Sequence, residues 1–488
     1  MEIDDLTPAE SRVWRAFPRG ELVDFRTEAD EDATAGGGWG PERTLRARVL
    51  RTLLVTAPQE DGEISALRIA GARITGKLDL THAVLDRPVR MSRCYFTDRP
   101  GLYGIQVPRL SLRGSVMPGL DLAGARVDGM VQLSDCRVRG RLTLTGAQVA
   151  GALRLGHARL LEGDDGAPAL QLTQATIGDD LWAPGLRVHG ELRLTGTTVS
   201  GSVDLSRARL THDGGPAFDA EILTVEGHLL LRHARVRGWI GLRAARIAGR
   251  VDLSYICLSN PGGPALRASS ATIGELWLRR GSHPVRGVLN LRRAQLDVLF
   301  VEPEMVPDQV HVSGLVYTTL TPHEPAGRRL PMLERDADGY APDAYEQLTA
   351  AYRRIGDDDA ARLVQLAKQR RHRRTLPWYA RLWGHLQDVT VGYGFRPLRA
   401  GGWLLSLLAA GSVAFGLHPP PALKPAESPD FHPVFYTLDL LLPVISFGQE
   451  NAFAPTGRYQ TLAYVLIIMG WILATTVVAG VTRTVSRQ

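Results

Sequence analysis

The sequence predicts an all-β solenoid carrying a helical N-terminal cap and an α-helical C-terminal membrane domain. Three observations predict it. An apolar pattern of period 11 runs from about residue 64 to 300. A longer period of 48 overlies it, and two long apolar segments lie in the last hundred residues.

The repeat is plainest over Leu120–Leu160. Leu120, Leu122, Ala125 and Val127 precede Gly129, and Val131, Leu133, Cys136 and Val138 precede Gly140. Leu142, Leu144, Ala147 and Val149 then precede Gly151, followed by Leu153, Leu155, Ala158 and Leu160. Two apolar residues two apart point the same way, as in a strand. A bend follows, then a second short strand with a small residue and a β-branched residue or leucine. Thus Leu144 and Val149 are expected inside, Thr143 and Gln148 outside. Such a unit cannot bury its apolar face alone and must stack on its neighbours. Two units give a coil of about 22 residues, about ten coils and a body about 50 Å long at the usual strand spacing. Ala169, Ala217 and Ala265 fall 48 apart within LEGDDGAPAL, LTHDGGPAF and LSNPGGPAL. A loop is therefore expected at one corner about every second coil.

Successive inward positions (Leu144, Val149, Leu155, Leu160) alternate between steps of five and six. This resembles the pentapeptide-repeat family over about half the chain. The resemblance implies a right-handed, four-sided β-helix, loosened by the extra residue in every second step. Some members of that family mimic DNA with an acidic surface. Residues 64–300 carry 31 Arg and Lys against 20 Asp and Glu, the wrong sign for a DNA mimic. No nucleic-acid partner is expected.

Of 488 residues 44% are hydrophobic and 22% charged, which excludes wholesale disorder. The 51 glycines and 30 prolines favour a turn-rich body. Nearly all the positive charge is arginine, with lysine only at 77, 368 and 424. Cys94, Cys136 and Cys257 exclude a disulfide framework, a four-cysteine zinc site and a CxxC pair. Cys94 and Cys136 take the small inward slot, where buried, inert thiols are expected. His82, His157 and His233 share the position before that slot and should face solvent, too far apart to share a metal. Trp182 and Trp277 fall near equivalent places, either as an exposed aromatic spot or packed under a loop. Gly71–Leu78 nearly fits a phosphate-binding loop, but Leu78 stands where Ser or Thr is needed and the segment keeps the repeat. No catalytic residue, cofactor or metal site is nominated.

Residues 1–60 read as a helical cap, with short helices over Asp5–Phe17 and Pro41–Val55. The acidic opening MEIDDLTPAE lacks an apolar h-region, so no cleavable leader is expected. The solenoid takes residues 61–301, and 302–341 read as a linker or closing cap. Residues 342–396 read as a helical hairpin and a basic interfacial helix. Tyr345, Leu348, Ala351, Tyr352 and Ile355 form one face of the hairpin, which resembles a single tetratricopeptide hairpin. Arg370, Arg371, Arg373 and Arg374 form a juxtamembrane basic cluster. Residues 397–488 read as the membrane domain, with spans at about 398–417 and 459–481. Arginines flank this pair, whereas only Lys424 and Arg458 lie between the spans. That asymmetry predicts a multi-pass protein of the cell membrane with both termini cytoplasmic.

Residues 435–448 are mostly apolar, too short to span, and suited to a re-entrant half-helix. The order span, half-helix, span resembles the pore module of two-span potassium channels. Val444, Ile445, Ser446, Phe447 and Gly448 lie where the filter TVGYG would lie, with Ser446 replacing its first glycine. The resemblance implies a homo-oligomer, a tetramer if pore-like. Over its whole length the chain also resembles sequences from GC-rich bacteria labelled membrane-associated oxidoreductase, which implies a redox activity without a cofactor motif to carry it. Three functional readings follow: a membrane-anchored scaffold for an unknown protein partner, a channel-like assembly regulated by the solenoid, and an oxidoreductase by resemblance.

Overall fold

The computed structural model describes residues 5–28, 31–56, 64–161, 167–279, 285–375, 377, 397–424, 428–442 and 446–485. The chain divides into two units, Met1–Gln347 and Leu348–Gln488.

The first unit is a parallel β-solenoid of about 11 turns with coils of about 22 residues. Each coil has four short strands, and each strand pairs in parallel with its equivalent one coil on. On the first face Leu120 pairs with Leu142, Leu142 with Leu170 and Leu170 with Leu192. The second face stacks Val127, Val149, Ile177 and Val199. The third stacks Val131, Leu153, Leu181 and Val203. The fourth stacks Val138, Leu160, Val188 and Leu210. These residues are the core. Leu144 and Val149 are buried, Thr143 is half-buried and Gln148 exposed, as the period predicts.

Between two faces the chain makes a tight turn. The Ala147 amide donates to the Leu144 carbonyl (3.0 Å), and Gly146 sits at φ 63. His82, His157 and His233 occupy the equivalent turn position with φ 55, 58 and 56, and all are exposed. The left-handed position aims these rings outward, in line with the expectation from sequence. Non-glycine residues there carry a conformational cost of about 1 kcal/mol or more, which the flanking ladders must offset.

The 48-residue period has a structural counterpart. His212 Nδ1 lies 3.1 Å from the Pro216 carbonyl, and 48 residues on the Asn260 amide donates to the Pro264 carbonyl (2.7 Å). Gly214 and Gly262 are left-handed at matching places. Both loops leave the corner between the fourth and first faces. The corresponding loop 162–166 lies outside the described residues.

The ends differ from the sequence reading in two respects. At the start, α1 (Pro8–Ala16) carries a capping box between Thr7 and Glu10. Helix α2 begins only at Ala47 and runs to Thr56, because Thr44–Arg46 instead forms a strand on Arg73–Thr75. Val23–Asp24 pairs likewise with Ile69–Ala70. The open backbone of the first coil thus receives partners, the usual remedy for an unpaired sheet edge. At the far end the solenoid continues past Val301. Val310, Val312, Leu315 and Tyr317 repeat the inward spacing, with Leu315 in the small slot, and all four are buried. The proline-bearing 3-10 turn Pro303–Met305 interrupts the repeat before this unit and hides it in the sequence. Helix α3 (Ala326–Glu334) follows.

Helix α4 (Pro342–Arg354) carries the boundary between the units. In the second unit, α5 (Asp358–Thr375) pairs with the end of α4 through Gln365, whose amide donates to Thr349 Oγ1 (3.0 Å). Tyr345, Leu348, Ala351 and Tyr352 are buried, but Ile355 is exposed, because the helix ends at Arg354 and Gly356 turns the chain. Among the described residues three further helices of nine residues or more follow, α6 (Pro397–Leu417), α7 (Pro433–Leu441) and α8 (Arg458–Val485), with a single helical turn at Gln449–Ala452. Of α6 the side chains from Gly401 on are described, and of α8 those up to Ala474. The two expected spans thus fall on helices. Among the described residues, however, no helix is long and apolar enough to cross a membrane.

Candidate interaction surface

The clearest surface feature arises from the period of the solenoid. The residue before each inward position on the fourth face points out. There Arg137 pairs in register with Arg159, Arg159 with Arg187, Arg187 with Arg209 and Arg209 with Arg235. Strands lie about 4.8 Å apart, so five arginines form a column about 19 Å long. The adjacent outward column carries Arg139, Leu161, His189, Thr211 and Arg237. Neither column contains a carboxylate.

Among the described residues, counter-charge is present at one end only. Arg137 pairs with Asp32 at 2.7 Å. Burial pushes the Asp32 carboxyl up, but hydrogen bonds from Thr34 and the charges of Arg137 and Arg159 outweigh it and hold the group below the usual range. Arg187, Arg209 and Arg235 are exposed and make no ion pair among the described residues. Like charges directly opposite one another disfavour a sheet by a few tenths of a kcal/mol per rung, or more. The column therefore weakens the fold slightly and concentrates positive potential on a rigid face. The sequence held the signal: every second unit places arginine before its second inward residue, whereas the units between place Gln148, Thr176, Thr198 and Thr224 there. The net count of 31 against 20 was too coarse to reveal it.

The other candidates resolve differently. Cys94 and Cys136 are buried thiols pushed up to about 12 by burial, and they donate to the Ser92 and Leu112 carbonyls. Trp182 is partly exposed on the outer column of the third face, fitted over Gly156, where a Cβ would meet its ring at 2.3 Å. Trp277, on the same column, stacks on Phe300 (4.8 Å) beneath Arg250 (3.9 Å). His311, Asp336 and Asp338 cluster with metal-like spacing. Arg292 donates to Asp338 and lies 2.9 Å from His311 Nδ1, so a guanidinium already supplies the positive charge there. Asp336 accepts the Asp338 amide and shapes the closing turn.

In the second unit, Arg370 and Arg374 are exposed and Arg371 and Arg373 half-buried, all in the last turns of α5, where cations favour the helix dipole. The segment expected as a half-helix, 435–448, overlaps α7, which ends at Leu441. Helix α7 packs closely against both longer helices. A Cβ on Gly411 would lie 2.4 Å from Thr437 Cγ2, and one on Gly470 would lie 2.3 Å from the Leu441 carbonyl oxygen. Phe415, Tyr436, Leu441 and Leu466 fill the space between. Val444 and Ile445 lie outside the described residues. Ser446, Phe447 and Gly448 are exposed, and the Ser446 hydroxyl accepts the Gly448 amide (3.2 Å). Sequence reading missed the residue that organises this turn. Asp439 is buried and accepts the backbone N–H groups of Phe447, Gln449 and Glu450. The lone charge in an apolar helix was its only sequence signal.

Fold and surface together define a parallel β-solenoid with an in-register arginine column on its fourth face, and a helical unit. No family model, curated protein or solved structure matches the chain.

Proposed function

We propose that the solenoid is an interaction scaffold whose arginine column receives the acidic surface of a partner protein. The in-register column from Arg137 to Arg235 carries this reading. Its guanidinium groups are spaced by the sheet, so binding requires no ordering of the backbone. The two outward columns contain no Phe, Tyr or Trp, whereas single-stranded nucleic acid is held by aromatic rings on which bases stack. That favours a protein over a single-stranded nucleic acid.

The helical unit serves as the membrane anchor in this reading. Support comes from large apolar side chains left exposed on two helices. Trp403, Leu405, Val413 and Leu417 lie on α6, and Tyr464, Val465, Ile468 and Trp471 on α8. Exposed apolar surface of this extent calls for a cover. The arginine asymmetry around the two helices favours lipid, with both termini cytoplasmic. A channel-like oligomer is the second reading, supported by α7 wedged between two longer helices at Gly411 and Gly470. Among the described residues nothing favours the redox reading.

Two experiments test the proposal. The chain is titrated with fluorescent poly-glutamate, a single-stranded oligonucleotide and anionic vesicles, the vesicles also offered to a fragment ending at 341. Tightest binding to poly-glutamate is expected, and tighter binding to the oligonucleotide would overturn the protein-partner reading. Membranes from expressing cells are washed with alkaline carbonate. Retention of the chain is expected, and its release would overturn the anchor. Native mass in mild detergent separates the second reading, which requires four chains.

A further inference from the structure

A second arginine cluster lies apart from the column, in a groove on the third face beside the N-terminal cap. The groove has a volume of about 520 Å³ and is lined by Arg19, Arg68, Arg90, Arg109 and Arg113 together with Ser111. Among the described residues no carboxylate lines it. Arg68 and Arg90 are direct register partners on adjacent strands, and Arg90 is in turn the partner of Ser111. Arg109 and Arg113 flank Ser111 along the same stretch of chain. The solenoid therefore places these guanidinium groups around one concave spot.

The charge on Arg68, Arg90 and Arg109 meets no described carboxylate. Arg19 pairs with Glu21 (3.7 Å), and Arg113 with Asp135 (3.2 Å). Arg68 donates to the Gly20 carbonyl and Arg90 to Ser92 Oγ, both neutral acceptors. Arg68, Arg90 and Arg109 have no ion pair among the described residues. Guanidinium groups recognise phosphate through paired N–H donors, and a concave site concentrates their field. The floor is partly apolar, formed by Val89 and Met130, and the volume lies within the range of small-molecule sites.

We propose that this groove binds a small molecule bearing two adjacent anionic groups, an organic diphosphate being the class that fits. Arg68 and Arg90, one strand spacing apart, take neighbouring anionic groups, Arg109 closes the site from the side, and the apolar floor takes the organic part. The site is independent of the fourth-face column.

The test is calorimetric titration of the 488-residue chain with inorganic pyrophosphate and with orthophosphate. Expected are one saturable site per chain, tighter for pyrophosphate, and at least tenfold weakening in Arg90→Gln and in Arg109→Gln. Arg209→Gln, on the fourth face, should leave pyrophosphate affinity unchanged. Arg109 has no described partner to lose, so its variant keeps the test open even if Arg90→Gln melts early. Absence of saturable binding overturns the proposal. So does equal weakening by Arg209→Gln, which would mean diffuse basic charge, or equal affinity for both anions, which would mean no paired site. Loss of poly-glutamate binding with pyrophosphate binding intact would separate this site from the scaffold reading.

Discussion

The left-handed turn at Gly146 gives a sharp test of the coil geometry. Gly146 has φ 63, and a Cβ added there would meet nothing within 4 Å. A substitution therefore tests backbone conformation alone. An ordinary L-residue in the left-handed region costs about 1–2 kcal/mol, whereas asparagine visits it readily. Replacing glycine also restricts the unfolded chain, which returns roughly 0.4–1 kcal/mol. Gly146→Asn should thus be close to neutral, and Gly146→Ala should destabilise by about 0.5–1 kcal/mol. Gly146→Val, with a β-branched side chain, should destabilise by roughly 2 kcal/mol. For a unit of 347 residues 1 kcal/mol shifts Tm by roughly 1–2 °C. Thermal unfolding followed by far-UV circular dichroism should rank the variants Asn, Ala, Val in descending order. A Gly146→Ala protein that melts above wild type, or a Val variant equal to Asn, would refute the turn.

Three other outcomes are expected. Leu144→Asp places a carboxylate among stacked leucines, and should cost several kcal/mol or abolish folding; unchanged melting would mean the wrong register. Burial raises the Glu10 carboxyl, but hydrogen bonds from Arg46 and Thr7 outweigh it and set the folded value below the ordinary one. Glu10 therefore contributes stability above the unfolded pKa of about 4.3, which is lost as pH falls through the lower folded value. Glu10→Gln should cost about 1–3 kcal/mol at pH 7, and urea titrations should show the gap from wild type closing below about pH 4; a pH-independent gap would refute the assignment. Gly470→Leu should loosen α7, since even a Cβ collides with the Leu441 carbonyl, and protease cleavage between α7 and α8 should accelerate; unchanged cleavage would show that the close approach is absent.

The solenoid was legible because its core is periodic. Leu144, Val149 and their equivalents recur at fixed spacing, and the pattern specifies which side of each strand faces in. The last coil was not legible because the proline-bearing turn Pro303–Met305 interrupts the repeat just before it. The strand Thr44–Arg46 was missed because its leucine spacing also fits a helix, and only the open edge of Arg73–Thr75 decides between them. The arginine column was present in the sequence as an alternation between units, but which units share a face follows from the four-sided coil. The groove was hidden further, since Arg19 and Arg90 are distant in sequence and meet only through the cap. Asp439 shows the same limit: its role as acceptor for three amides depends on a chain reversal that no local pattern specifies.

The central claim is that the fourth-face column binds an acidic partner surface. It is tested most directly by the affinity of the chain for labelled poly-glutamate before and after Arg187→Gln together with Arg209→Gln. Both residues are exposed and make no described ion pair, so the double variant should melt with wild type or slightly above it, as like-charge repulsion is relieved. The account predicts at least a tenfold loss of affinity, with a shallower dependence on salt. Unchanged affinity in a folded double variant would contradict it.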